Sequence, residues 1–409
     1  MKHTPLMLLL ALAALFCTHC KKDKNGTPNI PFEDLTPIPH FYITMDIDVD
    51  DIQREEYATA TLRIDGKDDF DDFEGSIRIR GRGNSTWNMP KKPYRIKLDS
   101  ETSLLGMAEA KDWVLLAEYI EGSMLYNSIP FEMAKILEIP YTNTVTPVNV
   151  TINGGYRGIY TFTEHKEVKE GRIDIGDDGV LLEMDSYFDE VWKFKSAAYN
   201  LPVMIQFPKE KDMTEDMLNI IQTDFEQFEN LIHDESFPNN NYLDYFDDRA
   251  FVDYMLVYTL TLNTEFNHPK STYINKLKNG KYRMGIIWDF DWGYGYIYGT
   301  HFDISSANSP TLYDDEDPNP GTLFFSRLME DPAILSLFKE RWQWFRANGF
   351  EQVKDNVRWW SERISQAVPY DHAIWGSRGS SENSEADLQR VLNWLDARAN
   401  YMDAYVSDF

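Results

Sequence analysis

Cysteine is nearly missing from this chain. Its two cysteines, Cys17 and Cys20, both fall at the extreme N-terminus of a sequence of 409 residues. Everything beyond them therefore lacks a disulfide, a thiolate metal centre and a thiol nucleophile. Positive charge is scarce as well. Lys and Arg number 40 against 67 Asp and Glu, which gives a net charge of −27. That balance argues against a nucleic-acid partner, because a phosphate backbone is held by a net basic surface. Long apolar runs are absent too. The run at 6–16 is too short to span a bilayer, and no later segment is longer. There is no internal repeat. The Asp-rich stretches at 46–51 and 68–72 carry no glycine-centred calcium loop and read as solvated turns. What the chain does have is 43% hydrophobic and 14% aromatic residues, ample for a folded core. Its length suits one large or two medium domains.

Lys2 and His3 precede the apolar run, and Cys17, Cys20 and a polar stretch at 21–26 follow it. The arrangement resembles a bacterial lipoprotein signal, with Cys20 as the lipidated residue and Cys17 as the other candidate. A plain secretory signal with incidental cysteines is the alternative. The expected organisation is a signal over 1–20, a Pro-containing tether over 21–38 and a folded domain over 39–409. That domain should be β-rich to about 200 and helical from about 201. The implied location is a lipid anchor in the bacterial cell envelope (outer membrane, periplasmic or surface-exposed), with the lipid as the only membrane contact.

Period-2 alternation predicts strands at 41–45, 58–64, 77–80 and 94–98. A helix is expected over 122–137. Strands over 147–152 and 157–163 should be joined by Asn153-Gly154-Gly155, a hairpin turn signal. Apolar spacings of three and four predict helices over 213–233 and 242–262. A further hairpin is expected from 272–274 and 282–288, and helices from 323 onward, broken at Pro332 and Pro369. The order implies an α+β fold rather than regular βαβ alternation.

Two constellations could carry chemistry. The first is Ile79-Arg80-Gly81-Arg82-Gly83-Asn84-Ser85-Thr86-Trp87, followed by Lys91-Lys92-Pro93-Tyr94-Arg95-Ile96-Lys97-Leu98. Alternation places Arg78, Arg80, Arg95 and Lys97 on one strand face, opposite the apolar residues. The glycine-rich turn offers backbone N–H groups and the side chains of Asn84 and Ser85 to anionic oxygens. The same basic face could instead be paired with the chain's own acids. The second constellation is Trp288-Asp289-Phe290-Asp291-Trp292-Gly293-Tyr294-Gly295, two carboxylates at i and i+2 after an apolar run. Hard oxygen ligands so placed suit magnesium that also holds phosphate. The alternative is ordinary turn chemistry. Together they have the logic of phosphoryl transfer, in which the protein mainly positions charge. A glycosidase working with the same carboxylates is a weaker reading.

With those blocks go Trp113-Val114-Leu115-Leu116-Ala117, Tyr126-Asn127, the run from Val148 through Tyr160 to Thr163-Glu164, and Arg327-Leu328 with Asp331-Pro332. In that order they resemble the CotH kinase family, named for spore coat protein H, over roughly residues 75–400. The resemblance implies an atypical protein-kinase-like fold that binds ATP with Mg2+ or Mn2+ and phosphorylates a protein acceptor on Ser or Thr. It implies metal binding by Asp289 or Asp291. It makes Arg80, Arg82, Asn84, Ser85, Lys92, Arg95 and Lys97 candidates for nucleotide contact, with Glu164 pairing a cation or the metal. Two positions depart from the family pattern. Glu265 stands where an Asp base is usual, its carboxyl displaced by about an ångström, a shift that matters for a base. Tyr126 stands where an Arg is usual. His268 and Lys270 are additions near that base position. A catalytically altered binding module for a glycan or protein partner is the alternative function.

Overall fold

The computed structural model describes residues 31–409 apart from 33, 299, 314–317 and 382. The expected signal, its Cys20, and residues 21–30 of the tether lie outside the described residues. The chain divides into two compact units. The first holds the described part of Met1–Met124 with Val145–His165 and Trp360–Asp387. The second holds Leu125–Thr144, Lys166–Trp359 and Leu388–Phe409.

In the first unit the alternating segments become β1 (His40–Thr44), β2 (Ala58–Asp65), β3 (Phe73–Gly81), β4 (Tyr94–Thr102), β5 (Ala110–Leu116), β6 (Val145–Ile152) and β7 (Gly155–Glu164). They close into a barrel in the order β1-β2-β3-β4-β5-β7-β6. β1 and β6 close it as a parallel pair, with Phe41 opposite Val150. One face of every strand is apolar. Phe41, Ile43, Leu62, Ile64, Ile77, Ile79, Ile96, Leu98, Trp113, Leu115, Val148, Val150 and Phe162 fill the interior as one buried cluster. A barrel of this size has room for side chains alone. The β6–β7 turn is the expected one, with Asn153 at φ 49° and Gly154 at φ 77°, the paired positive angles of a two-residue hairpin.

The second unit contains a five-stranded sheet in the order β12-β11-β8-β10-β9. Its strands are β8 (Val180–Met184), β9 (Lys193–Lys195), β10 (Pro202–Phe207), β11 (Thr272–Lys276) and β12 (Arg283–Met284). The first three occupy a stretch for which the sequence pattern gives no element. The expected strand over 282–288 stops at Met284, because the Asn275 side-chain amide donates to the Gly285 carbonyl (2.9 Å) and takes the place of a ladder partner. The helix expected over 122–137 is shorter, Ser128–Ile136. The helix expected over 242–262 is Asp248–Leu260, because the Asp247 carboxylate accepts from the Ala250 N–H and caps it there. The helix Glu215–His233 follows its pattern, capped by Thr214.

From Pro320 onward the described chain is helical: Pro320–Leu328, Pro332–Asn348, Phe350–Ile364, Val368–Trp375 and Ser384–Tyr405. Pro332 is not a break inside a helix but its first residue, where a missing N–H costs nothing. Among the described residues no helix is long and apolar enough to cross a membrane.

Candidate functional site

The basic hairpin lies in the first unit, as β3, β4 and the turn between them. Its ladder pairs Arg80 with Arg95 and Arg78 with Lys97, so the four cations do share a face. Asp112 of β5 meets that face and is almost fully buried. Arg95 Nε donates to Asp112 Oδ1 (2.8 Å), and Lys97 Nζ lies 3.1 Å from Oδ2. Burial would raise the Asp112 carboxyl, but Arg95 and Lys97 outweigh it and hold the group below its ordinary value. Arg80 Nη1 donates to the Arg54 carbonyl (2.8 Å), and its guanidinium lies 5.0 Å from the Tyr57 ring centroid. Lys92 Nζ donates to the Trp87 carbonyl (2.6 Å). Asn84 accepts from Arg54 at 3.4 Å, and Ser85 precedes a single helical turn at Thr86–Asn88 that carries the chain past Arg82 and Gly83. Glu164 falls opposite Trp113 and therefore in the Ile96 row, across the sheet from Arg95 and Lys97. Most of the hairpin's positive charge is thus already engaged by this unit's own acid, carbonyls and rings.

One residue of the same motif is deeply buried. Lys91 Nζ donates to Asp371 Oδ2 (2.6 Å) and to the Ile159 carbonyl (2.5 Å), and the Ile159 N–H donates back to Asp371 (3.0 Å). Arg378 pairs with the other Asp371 oxygen. Lys91 and Asp371 are both 0% exposed. Burial pulls the Lys91 ammonium down to about 8, against the pull of Asp371.

The predicted catalytic acids lie in the second unit. Glu265 opens a single helical turn, Glu265–Asn267, just after the helix Asp248–Leu260. That turn is braced on one side by Gly321, where a Cβ would lie 1.9 Å from the Phe266 carbonyl oxygen. Thr322 adds a hydrogen bond from its hydroxyl to Asn267 Oδ1 (3.0 Å). The Asp289–Asp291 segment is pinned carbonyl by carbonyl. Tyr258 Oη donates to Trp288 O (3.3 Å), Asn263 Nδ2 to Asp289 O (2.9 Å), and His301 Nε2 lies 2.7 Å from Asp291 O. Tyr294 Oη donates to the carbonyl of Tyr126, which ties the departing Tyr126-Asn127 motif to the same loop (2.6 Å). Asn263 also accepts from the Glu265 N–H through its Oδ1 (3.1 Å), so one amide fixes Glu265 relative to Asp289.

Glu265 is 4% exposed, and its Oε2 is buried without a hydrogen-bond partner. Burial pushes this carboxyl well above the usual carboxylate range, and the charges of Asp289, Asp291 and Asp185 push the same way against Lys270. Asp185 is a member that the sequence pattern does not single out. Its Oδ2 accepts from the Ser271 N–H (3.1 Å), while the Ser271 hydroxyl reaches Asp289 Oδ2 (3.4 Å). Two residues earlier on β8, Glu183 accepts from Tyr273 and lies 3.8 Å from Lys166 Nζ. Lys166 itself sits 5.5 Å from the Trp288 ring centroid. Burial pushes Glu183 up to about 7 against the pull of Lys166. The available signal was Glu183-x-Asp185 closing an apolar run, the same i, i+2 acid pattern as Asp289 and Asp291.

The CotH kinase protein family model matches this chain over residues 77–402. The chain belongs to the CotH kinase family. No curated protein matches it. Within this CotH family chain the acid cluster contains only hard oxygen donors. Among the described residues no three His, Cys, Asp or Glu side chains converge into a metal cage. That donor set fits magnesium, which usually takes one or two carboxylates and completes its shell with water and phosphate oxygens. Asp289 and Asp291 are the residues that would hold it.

Proposed function

We propose that this CotH family chain has an atypical protein-kinase-like fold. On this reading it binds ATP with Mg2+ or Mn2+ at Asp289 and Asp291, and transfers the terminal phosphoryl group to a protein hydroxyl. The observation that carries the reading is the Glu265 carboxyl, buried and unpartnered at Oε2 beside two further acids of a kinase-family motif. A bound cation would neutralise charge on the phosphates and on the two aspartates. Glu265 is the group placed to take the acceptor hydroxyl proton. Burial first, and then the field of Asp289, Asp291 and Asp185, favours the protonated form of Glu265 against the pull of Lys270. Compensating that field favours its basic form, so base function belongs to the loaded site. By the family resemblance alone, Arg80, Arg82, Asn84, Ser85 and Lys92 are proposed nucleotide contacts, while Glu164 leaves that set because it faces the other side of the sheet from Arg80 and Arg95. Arg95 and Lys97 are the weakest of that set, because Asp112 already engages both. A lipid anchor at Cys20 and residence in the cell envelope belong to the same proposal.

The test is calorimetric titration of the protein with ATP in the presence of magnesium or manganese. Binding should disappear in Asp289→Ala and Asp291→Ala. Glu265→Gln should keep binding and lose transfer by about 10²–10⁴-fold. Because a raised pKa must be exceeded before the base is free, kcat/KM should rise with pH through a midpoint well above 4.5, the ordinary Glu value. Absence of nucleotide binding with both metals would leave the binding-module reading, and glycan and protein partners would be screened next.

A further inference from the structure

Lys270 lies five residues beyond Glu265, between that turn and β11. Its backbone is fixed on both sides. The Lys270 N–H donates to the Glu265 carbonyl (3.1 Å), the Ser186 N–H donates to the Pro269 carbonyl (2.8 Å), and the Ser271 N–H donates to Asp185. Its ammonium stands between two aromatic rings, 4.8 Å from the Tyr187 centroid and 5.6 Å from the Trp292 centroid. Such ring faces hold a cation without consuming its hydrogen-bond donors. Among the described residues Nζ donates to no protein oxygen and lies within 4.0 Å of no carboxylate. An ammonium has three donors. Here they are only partly shielded from solvent and have no protein acceptor.

The surroundings make this informative. Asp185, Asp289 and Asp291 all act on Glu265, and Lys270 is the cation that opposes them. An ammonium serving only as internal counter-ion would fall into an ion pair with one of these acids. Instead it stands over the Tyr187 and Trp292 rings. A site with oxygen donors for a hard cation and, beside them, a cation with open donors is complementary to a ligand carrying both signs. A metal-chelated phosphate is such a ligand.

We infer that Lys270 binds the terminal phosphate of the metal-bound nucleoside triphosphate. The inference rests on the nucleotide reading above. The terminal group is favoured over the inner phosphates because Lys270 leaves the same short turn that presents Glu265, the residue proposed to meet the acceptor. Tyr187, 47% exposed, and Trp292 are positioning residues that set the direction of the ammonium.

The experiment compares MgATP and MgADP titrations of the full protein in wild type, Lys270→Met and Lys270→Arg. Lys270→Met should weaken MgATP by about tenfold or more, the loss of one charge-assisted contact, and leave MgADP nearly unchanged. Lys270→Arg should recover most of the ATP affinity, which also shows that the loop still folds. Equal weakening of both nucleotides, or weakening of neither, overturns the inference. So does tighter Mn2+ binding in Lys270→Met with ATP affinity unchanged, because Lys270 would then be a counter-ion competing with the metal. A wild-type protein that binds neither nucleotide overturns the underlying reading along with it. A wild type that binds MgATP and loses it in Asp291→Ala isolates the fate of Lys270.

Discussion

The two units treat buried charge in opposite ways. In the first, Lys91, Asp371 and Arg378 form a closed set, with both Asp371 oxygens engaged and the Lys91 ammonium shared between a carboxylate and a carbonyl. In the second, Glu265 has a buried oxygen with no partner, burial and then three aspartates raise its pKa, and the nearby Lys270 makes no ion pair. Taking a charge out of water is tolerated when its partners are complete and is expensive when they are not. A complete set describes a fastening. An incomplete one, with the Trp288, Asp289 and Asp291 carbonyls held by hydrogen bonds, has the charge pattern of a ligand site. Stability is commonly given up at such places in exchange for function.

Matched substitutions break this comparison most directly. Asp371→Ala leaves Lys91 and Arg378 buried without their carboxylate and should cost about 3–5 kcal/mol in denaturant unfolding. Glu265→Gln, which removes the carboxyl that burial and the neighbouring acids disfavour as an anion, should be neutral or slightly stabilising in the nucleotide-free protein. If both variants lose comparable stability, the second cluster is a fastening too, and the argument for a ligand there fails.

Glu183 sharpens the comparison, because it stands between the two cases: buried, yet paired with Lys166 and Tyr273. Its folded pKa of about 7 lies above the 4.5 of the unfolded chain. The folded state therefore binds more protons between those values, and this contribution to stability is present below pH 4.5 and lost as pH rises through 7. The loss amounts to roughly 3 kcal/mol at most. Glu183→Gln should flatten that slope between pH 4.5 and pH 7. An unchanged slope would assign the pH dependence to other groups.

How far these clusters could be read in the sequence depends on which link carries the information. Barrel strands such as 77–80 and 94–98 were legible because one face of each is buried and period 2 follows from that alone. The Asn153-Gly154 turn was legible because few residues accept two positive φ angles in succession. The strands β8 to β10 were not. Val180-Leu181-Leu182-Glu183-Met184 is a short apolar run whose burial on both sides leaves no alternation, and β9 is three residues long. Missing β8 hid Glu183 and Asp185, and with them half of the acid environment. Asp289, Asp291 and Glu265 were legible by resemblance to the family pattern. The pairing of Arg95 and Lys97 with Asp112 was foreseen only as a possibility, because which acid stands across a sheet depends on register between β4 and β5.

Gly321 tests the rigidity on which the second cluster depends. Its Cα abuts the Phe266 and Asn267 carbonyls, with no space for a methyl group. Gly321→Ala must push the Glu265–Asn267 turn away and should cost about 1–3 kcal/mol, the usual range for overpacking. Mn2+ binding should survive in this variant, because the Asp289 and Asp291 carbonyls are held by other partners, while phosphoryl transfer should fall with the displaced Glu265 and MgATP affinity with Lys270, which follows the same turn. Loss of Mn2+ binding and transfer together would mean that the turn also shapes the metal site.

The smallest expected effect comes from the barrel face. Lys97 is partly exposed, and Asp112 retains Arg95 when it is removed. Lys97→Ala should therefore change stability by less than about 1 kcal/mol, and that small change should shrink further in high salt. The same variant separates the two meanings of a basic strand face. If Lys97 serves only Asp112, MgATP affinity is unaffected, and the cluster belongs with Lys91 and Asp371 among the charges this unit has already satisfied. If affinity falls while stability holds, Lys97 is shared with a ligand, and charge that looks closed in the first unit is partly open as well.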